Sequence, residues 1–202
     1  MRRLVITAAA ATLLLTPTAC GSNDKATPQP DTPSAKPTPT APQNKQIPWG
    51  KPAEVTGTGG HKLRITPTGV LYHRGPYKGV DGPENGWFAA ISLRVEAVDQ
   101  ADAVLAGAGN GGLQWKGNGQ TITNADSGGN APWVGAVNQL GNDSPIQPRR
   151  AELAVETFDI PARGGWLGYA NPDGSLVEWN MPVSDRGSMG LAKVRAKIRE
   201  FT

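Results

Sequence analysis

The sequence holds little cysteine and no large excess of charge of one sign, and both shortages exclude classes of function. Cys20 is the only cysteine among 202 residues, so neither an internal disulfide nor a cysteine-rich zinc site can form. The 20 Lys and Arg residues nearly balance the 17 Asp and Glu residues, which leaves a formal net charge of +3. Because a nucleic-acid-binding surface needs a concentrated basic stripe, we expect no nucleic-acid partner.

The apolar run near the start of the chain is too short to cross a membrane. Residues 4–15 are uncharged and mostly apolar, whereas a transmembrane helix needs roughly 20 such residues. Arg2 and Arg3 precede the run and small residues follow it, which is typical of a secretory signal peptide. We predict a signal peptide at residues 1–19, and the arginine pair leaves both the general secretory and the twin-arginine export routes open.

The cysteine follows this run directly. The segment Thr18-Ala19-Cys20-Gly21 resembles the bacterial lipobox, in which the cysteine is diacylated and becomes the new N-terminus. Two acyl chains hold a protein stably at a membrane, and lipid attachment accounts for a single cysteine in an exported protein. We therefore expect a palmitate-bearing lipoprotein, anchored through Cys20 on the outer face of the cell membrane. The alternative is an ordinary secreted protein with a free thiol.

A proline-rich segment separates the cysteine from the rest of the chain. Residues 21–48 hold seven prolines among small polar residues, and Ile47 is their only large apolar residue. Such a composition buries too little apolar surface to offset the entropy of ordering. A flexible coil of this length extends about 30 Å, and a polyproline II chain extends up to roughly 85 Å. We predict that residues 20–51 form a disordered linker.

Residues 52–185 have the length of one domain and a pattern typical of strands. Residues 87–98 alternate, with Ile91 and Leu93 on one side of the strand and Arg94 on the other. This two-residue period is that of a half-buried strand.

A second alternating strand and two turns extend the pattern. Residues 151–160 alternate until the phase changes near Thr157, which predicts a β-bulge. Asn-Pro-Asp-Gly at residues 171–174 predicts a hairpin, and Asn118-Gly119 predicts a tight type I′ turn. We expect further short strands at residues 62–66, 70–72, 113–116, 120–123, 166–170 and 175–181. With no sustained helical period before residue 186, the sequence predicts an all-β antiparallel sandwich of about seven strands.

The order of these features resembles the telokin-like, immunoglobulin-fold domains of many actinobacterial and other Gram-positive lipoproteins of unknown function. In that family a long alternating strand, here residues 87–98, is followed by a strand–turn–strand unit, here residues 113–123. A later strand ends in Phe-Asp-hydrophobic-Pro, here residues 158–161. The resemblance covers about residues 54–183 and implies an immunoglobulin-like β-sandwich.

Catalytic motifs are missing from the sequence. The two histidines, His61 and His73, have no recognisable partner motif, and no HExxH, CxxC, GxSxG or P-loop pattern occurs. We therefore expect no enzymatic activity, no cofactor and no metal site. The alternative is a cell-wall-active hydrolase, since glycan hydrolysis needs only two carboxylates at a set separation. The loop carboxylates available for it are Asp81, Glu84, Asp99, Asp102, Asp126 and Asp143.

Half of the aromatic residues are tryptophans. We expect Trp87, Trp166 and Trp179, which lie in predicted strands, to fill the core. Trp133 lies in a long Gly- and Asn-rich loop, and exposed loop aromatics are platforms for sugars or anchors for protein partners. We predict Trp133 as a candidate ligand-binding residue, and the alternative is that it folds back over the core.

The last stretch, residues 186–202, is a basic tail. It holds five basic residues against Glu200, and its apolar residues recur at three- and four-residue steps typical of a short helix. Such a helix is suited to rest on an anionic membrane or wall polymer, and the alternative is a helix docked on the domain. Overall we expect an exported, membrane-anchored, non-catalytic domain that binds an undetermined protein or glycan.

Overall fold

The computed structural model describes residues 44–107, 111–123, 129–137 and 145–202. The predicted signal peptide, Cys20, Asp126 and Asp143 lie outside the described residues. Within them the chain forms nine strands and one helix: β1 (Asn44–Ile47), β2 (Ala53–Thr56), β3 (Lys62–His73), β4 (Trp87–Ala97), β5 (Gly112–Gly117), β6 (Gln120–Thr123), β7 (Ala151–Ile160), β8 (Trp166–Ala170), β9 (Leu176–Asn180) and α1 (Ala192–Phe201).

The strands form two sheets. The five-stranded sheet has the order β1-β9-β8-β5-β6, and the four-stranded sheet has the order β2-β3-β4-β7. Among the described strand pairs, β1 and β9 run parallel and the others run antiparallel. The prediction of an all-β sandwich is confirmed.

The main hydrophobic core lies between the two sheets. The alternation of β4 turns Ile91, Leu93 and Val95 toward this core, where all three are fully buried. The five-stranded sheet contributes the large side chains of Trp115 and Trp179. The inward face predicted for β4 is therefore correct.

A second hydrophobic cluster covers the outer face of the four-stranded sheet. Phe88 and Ala90 project to this side and pack with Trp133 from a loop and with Val194 and Ile198 from α1. The first half of β4 is consequently buried on both faces, which explains why its residues 87–91 are apolar without interruption. Arg94, farther along the strand, is exposed.

The structure corrects two of the predicted segment boundaries. The predicted linker at residues 20–51 is too long, because Asn44–Ile47 forms β1 on the edge of the five-stranded sheet. Its backbone pairs with β9, and such pairing leaves little trace in a polar sequence with one apolar residue. The two predicted strands at residues 62–66 and 70–72 are one strand, with a register shift between Pro67 and Gly69.

The bulge predicted near Thr157 is wrong. The register between β4 and β7 continues without a shift from Trp87 opposite Ile160 to Glu96 opposite Ala151. The alternation changes phase because Glu156 lies opposite Ile91 and so shares its inward face, and Glu156 is only 6% exposed.

The basic tail contains a helix, α1, whose apolar face packs on the domain. Val194 and Ile198 are buried, so their side chains are already used against the sheet. Lys193 and Arg199 remain exposed. In the part of the chain that the structure describes, no helix is long and apolar enough to cross a membrane.

Candidate functional site

Three connecting segments meet at one end of the sandwich, which we call the loop end. They are residues 74–86, 161–165 and 181–186, which follow β3, β7 and β9. The Tyr72 hydroxyl ties the segments together, because it donates to the Pro182 carbonyl at 2.6 Å and accepts from the Gly164 amide at 3.1 Å. The opposite end, where β1 begins at Asn44, is called the entry end.

Two arginines at the loop end contact one tryptophan. The Arg163 Cζ atom lies 3.8 Å from the centroid of the Trp87 ring, and the Arg74 Cζ atom lies 5.0 Å from it. Each contact is a cation–π interaction, worth about 0.5–1 kcal/mol at an exposed site. We call Arg74, Trp87 and Arg163 the Arg–Trp–Arg cluster.

The guanidinium groups of the cluster keep their hydrogen-bond donors available. Both arginines are exposed, and neither has a hydrogen bond or an ion pair among the described residues. By contrast, Arg64 and Arg94 in the middle of the four-stranded sheet pair with Glu54 and Glu96, each at 3.0 Å. The cluster therefore offers two positively charged donor groups to solvent.

The turn that follows Arg163 is held firmly. Gly164 accepts from the Trp115 indole at 2.8 Å, and the carbonyl of Gly165 accepts from the Met181 amide at 2.9 Å. Gly165 has a φ of +82°, and a Cβ atom there would lie 2.5 Å from the Lys116 carbonyl oxygen. Only glycine fits this close approach, so the backbone that presents Arg163 is fixed.

The segment that leads into Trp87 is tied to the end of β7. The buried Asp159 carboxylate accepts from the Glu84 amide at 2.6 Å and from the Asn85 amide at 2.9 Å. Asp159 belongs to the Phe-Asp-hydrophobic-Pro segment that the sequence analysis singled out. Its role is to position the loop immediately before Trp87.

His73 organises the start of the same loop. Its Nδ1 accepts from the Gly75 amide at 3.2 Å and lies 2.6 Å from the Tyr77 hydroxyl oxygen. Burial lowers the pKa of His73, and the Asp185 carboxylate opposes this effect in part. A neutral His73 therefore supports the turn next to Arg74.

Trp133 is not an exposed platform. Its side chain is 0% exposed, its indole N–H donates to the Thr157 hydroxyl at 2.8 Å, and its ring meets Phe88 edge-on at 5.7 Å. A ligand cannot stack on a fully buried ring. The prediction of Trp133 as a ligand-binding residue is wrong, and its loop folds back over the outer face of the four-stranded sheet.

The four described carboxylates among those considered for hydrolysis lie in two pairs at opposite ends of the domain. Asp81 and Glu84 are in the loop-end segment before β4, whereas Asp99 and Asp102 follow β4 at the entry end. An 11-residue strand is about 33 Å long. Asp99 also accepts from the Lys62 amide at 2.7 Å. The described residues contain no group of three or more His, Cys, Asp or Glu side chains that could hold a metal ion.

No protein family, curated protein or solved structure matches this chain. The site is therefore interpreted from its residues and geometry alone.

The residues of the cluster were missed at the sequence level. Trp87 was predicted as a core residue, but it is half-buried at the edge of the core and carries both arginines. Trp166 projects from the outer face of the five-stranded sheet and is also half-buried, so its predicted core position is wrong, whereas Trp179 is fully buried. The sequence held one signal for the cluster: Arg74 and Arg163 each stand directly before a glycine, shortly after a predicted strand.

Proposed function

We propose that this protein is a membrane-anchored, exported lipoprotein whose non-catalytic, immunoglobulin-like domain binds its ligand at the loop end. The observation that carries the proposal is the Arg–Trp–Arg cluster, which holds two exposed guanidinium groups with no ion-pair partner among the described residues. Charged donors that are positioned by a rigid scaffold and not used by the fold are typical of a binding surface.

The strand order supports the immunoglobulin-like assignment. The series β9-β8-β5-β6 matches strands G, F, C and C′ of an immunoglobulin domain, and the series β3-β4-β7 matches A, B and E. β1 then adds a parallel strand beside G. The telokin-like family of Gram-positive lipoproteins is proposed on this pattern together with the sequence resemblance.

The position of β1 supports the proposed anchoring. Asn44 pairs with Leu176 at the entry end, so the linker from a lipidated Cys20 joins the domain at the end opposite the cluster.

The basic face of α1 is a second proposed contact, with an anionic membrane or wall polymer. The apolar side chains of the helix pack on the sheet, so this contact would be electrostatic and would use exposed residues such as Lys193 and Arg199. The alternative of a wall-active hydrolase would have to use carboxylates of one end only, because Asp81 and Glu84 lie at the loop end and Asp99 and Asp102 at the entry end.

Site-specific crosslinking on intact cells tests the ligand site. The photoreactive amino acid p-benzoylphenylalanine is placed at Asp81, which is exposed at the loop end, or at Asp102, which is exposed at the entry end. We expect an adduct from position 81 and none from position 102. Adducts of the same species from both positions, or from position 102 alone, would contradict a loop-end site.

Cell fractionation tests the anchor separately. We expect the unchanged protein to remain with the membrane and C20S to be released into the medium, because the serine hydroxyl does not form the lipobox thioether. Retention of C20S on the membrane would contradict lipid anchoring through this residue.

A further inference from the structure

We propose that the Arg–Trp–Arg cluster binds a single oxyanion group of its ligand, a carboxylate or a phosphate. This inference rests on the proposed function, which places the ligand at the loop end. It adds the chemistry that the ligand must carry.

The two guanidinium groups are close enough to act on one ligand. Because both distances are measured to one ring centroid, the two Cζ atoms lie within about 9 Å of each other. A guanidinium stacked on an aromatic face keeps its N–H edge free, and that edge matches the two oxygens of a carboxylate or phosphate. Arg163 is also held over the Tyr72 ring, at 5.6 Å.

Two acidic residues near the cluster, the buried Asp159 and the exposed Asp185, are engaged with the backbone. Asp159 accepts from the Glu84 and Asn85 amides, and Asp185 accepts from the Tyr72 amide at 3.0 Å. Neither carboxylate forms an ion pair with Arg74 or Arg163. The positive charge of the cluster is therefore not neutralised by direct contact with the described part of the protein.

The loop that carries Arg74 holds exposed acidic residues as well. Asp81 and Glu84 are exposed in residues 74–86 together with Lys78, so the exposed charge of this loop is mixed and does not form a continuous basic surface. Like charges repel an extended polyanion that spreads over the loop, whereas one compact group can contact the arginines alone. The observations thus favour a single oxyanion over a polyanionic polymer or an anionic membrane.

The cluster is arranged before a ligand arrives. The Gly164–Gly165 turn is fixed by hydrogen bonds from Trp115 and Met181, and the approach to Trp87 is fixed by Asp159. A preorganised site loses less conformational entropy on binding. Binding should consequently proceed without a change in backbone conformation.

Binding is measured by NMR on the full chain in dodecyl maltoside micelles, through the resonances of its tryptophan indole groups. The protein is labelled with 15N-tryptophan, and W87F assigns the Trp87 signal. Inorganic phosphate and succinate are titrated at constant ionic strength. We expect the Trp87 indole signal to shift saturably with at least one probe, and the probe that is bound more tightly identifies phosphate or carboxylate chemistry.

Arginine variants separate a specific site from general charge. We expect R163A to weaken probe binding at least tenfold and R163K to weaken it several-fold, because lysine lacks the planar fork. The control R64A/R94A removes two positive charges, one more than R163A, and should leave the affinity unchanged. The proposal would be overturned if chloride shifted the Trp87 indole signal as much as the probes do. It would also be overturned if R64A/R94A lost as much probe affinity as R163A.

Three further outcomes are decisive. Tight R163-dependent binding to phosphatidylglycerol vesicles, with no saturable binding of phosphate or succinate, would overturn the single-oxyanion proposal in favour of an anionic surface. If neither probe binds while position 81 still crosslinks on cells, the oxyanion proposal fails and the proposed function stands. If a probe binds but position 81 captures nothing, the proposed function fails instead.

Discussion

The individual tryptophans of this protein have different roles, which depend on where each one lies relative to the two sheets. Trp133, in a loop, fills the cluster outside the four-stranded sheet, whereas Trp166, in a strand, faces outward from the other sheet. The hydropathy of a short segment does not show whether another part of the chain packs on its side chains. The indole of Trp87 is used differently again, because it supports two guanidinium groups.

Replacing Trp133 tests its assignment to the core. We expect W133A to lower the free energy of unfolding by about 3–5 kcal/mol, because a fully buried tryptophan and its bond to Thr157 are lost. The half-exposed Trp166 provides the control, and W166A should cost much less. Chemical denaturation measures both. A W133A protein as stable as W166A would contradict the assignment.

The burial of His73 predicts a pH dependence of stability. Burial lowers the pKa of the folded-state imidazole below the value of 6.5 that it has when exposed, so the unfolded chain takes up the proton first. The contribution is present above pH 6.5 and is lost as the pH falls through the folded-state pKa. We expect unfolding free energy to fall between pH 7 and pH 5.5.

The variant H73N separates this effect from other titrations, because asparagine keeps an acceptor but does not titrate in this range. We expect a flatter pH profile for H73N than for the unchanged protein. Equal profiles for the two proteins would show that His73 has no part in the pH dependence.

At the scale of elements, the alternating pattern of β4 predicted the strand, its inward face and its place in an all-β sandwich. The same pattern could not predict β1, whose contribution is backbone pairing, or the phase of β7, where Glu156 occupies an inward position. The candidate site was less predictable than the fold. Arg74 and Arg163 are 89 positions apart in sequence, and only the pairing of β3 with β4 and of β4 with β7 brings them to one ring.

The helix α1 seals the outer face of the four-stranded sheet, and a charge in its buried face tests this. We expect V194D to lower the unfolding free energy by about 3–5 kcal/mol, because it places an uncompensated charge at a fully buried position. A192D adds the same charge at an exposed first-turn position, where the helix dipole favours it. If V194D were as stable as A192D, α1 would not be docked in solution.

At the scale of the whole molecule, the two ends of the sandwich have different tasks in this account. The entry end receives the chain at Asn44, and the loop end, about one strand length away, carries the Arg–Trp–Arg cluster. The central claim is that the two arginines of the loop end bind the ligand.

Binding of the released C20S protein to cells that lack this chain measures that claim most directly. We expect saturable binding that falls at least tenfold in R74A/R163A and is unchanged in R64A/R94A, which carries the same change of charge on the four-stranded sheet. Equal binding by R74A/R163A and the unchanged protein would contradict the account.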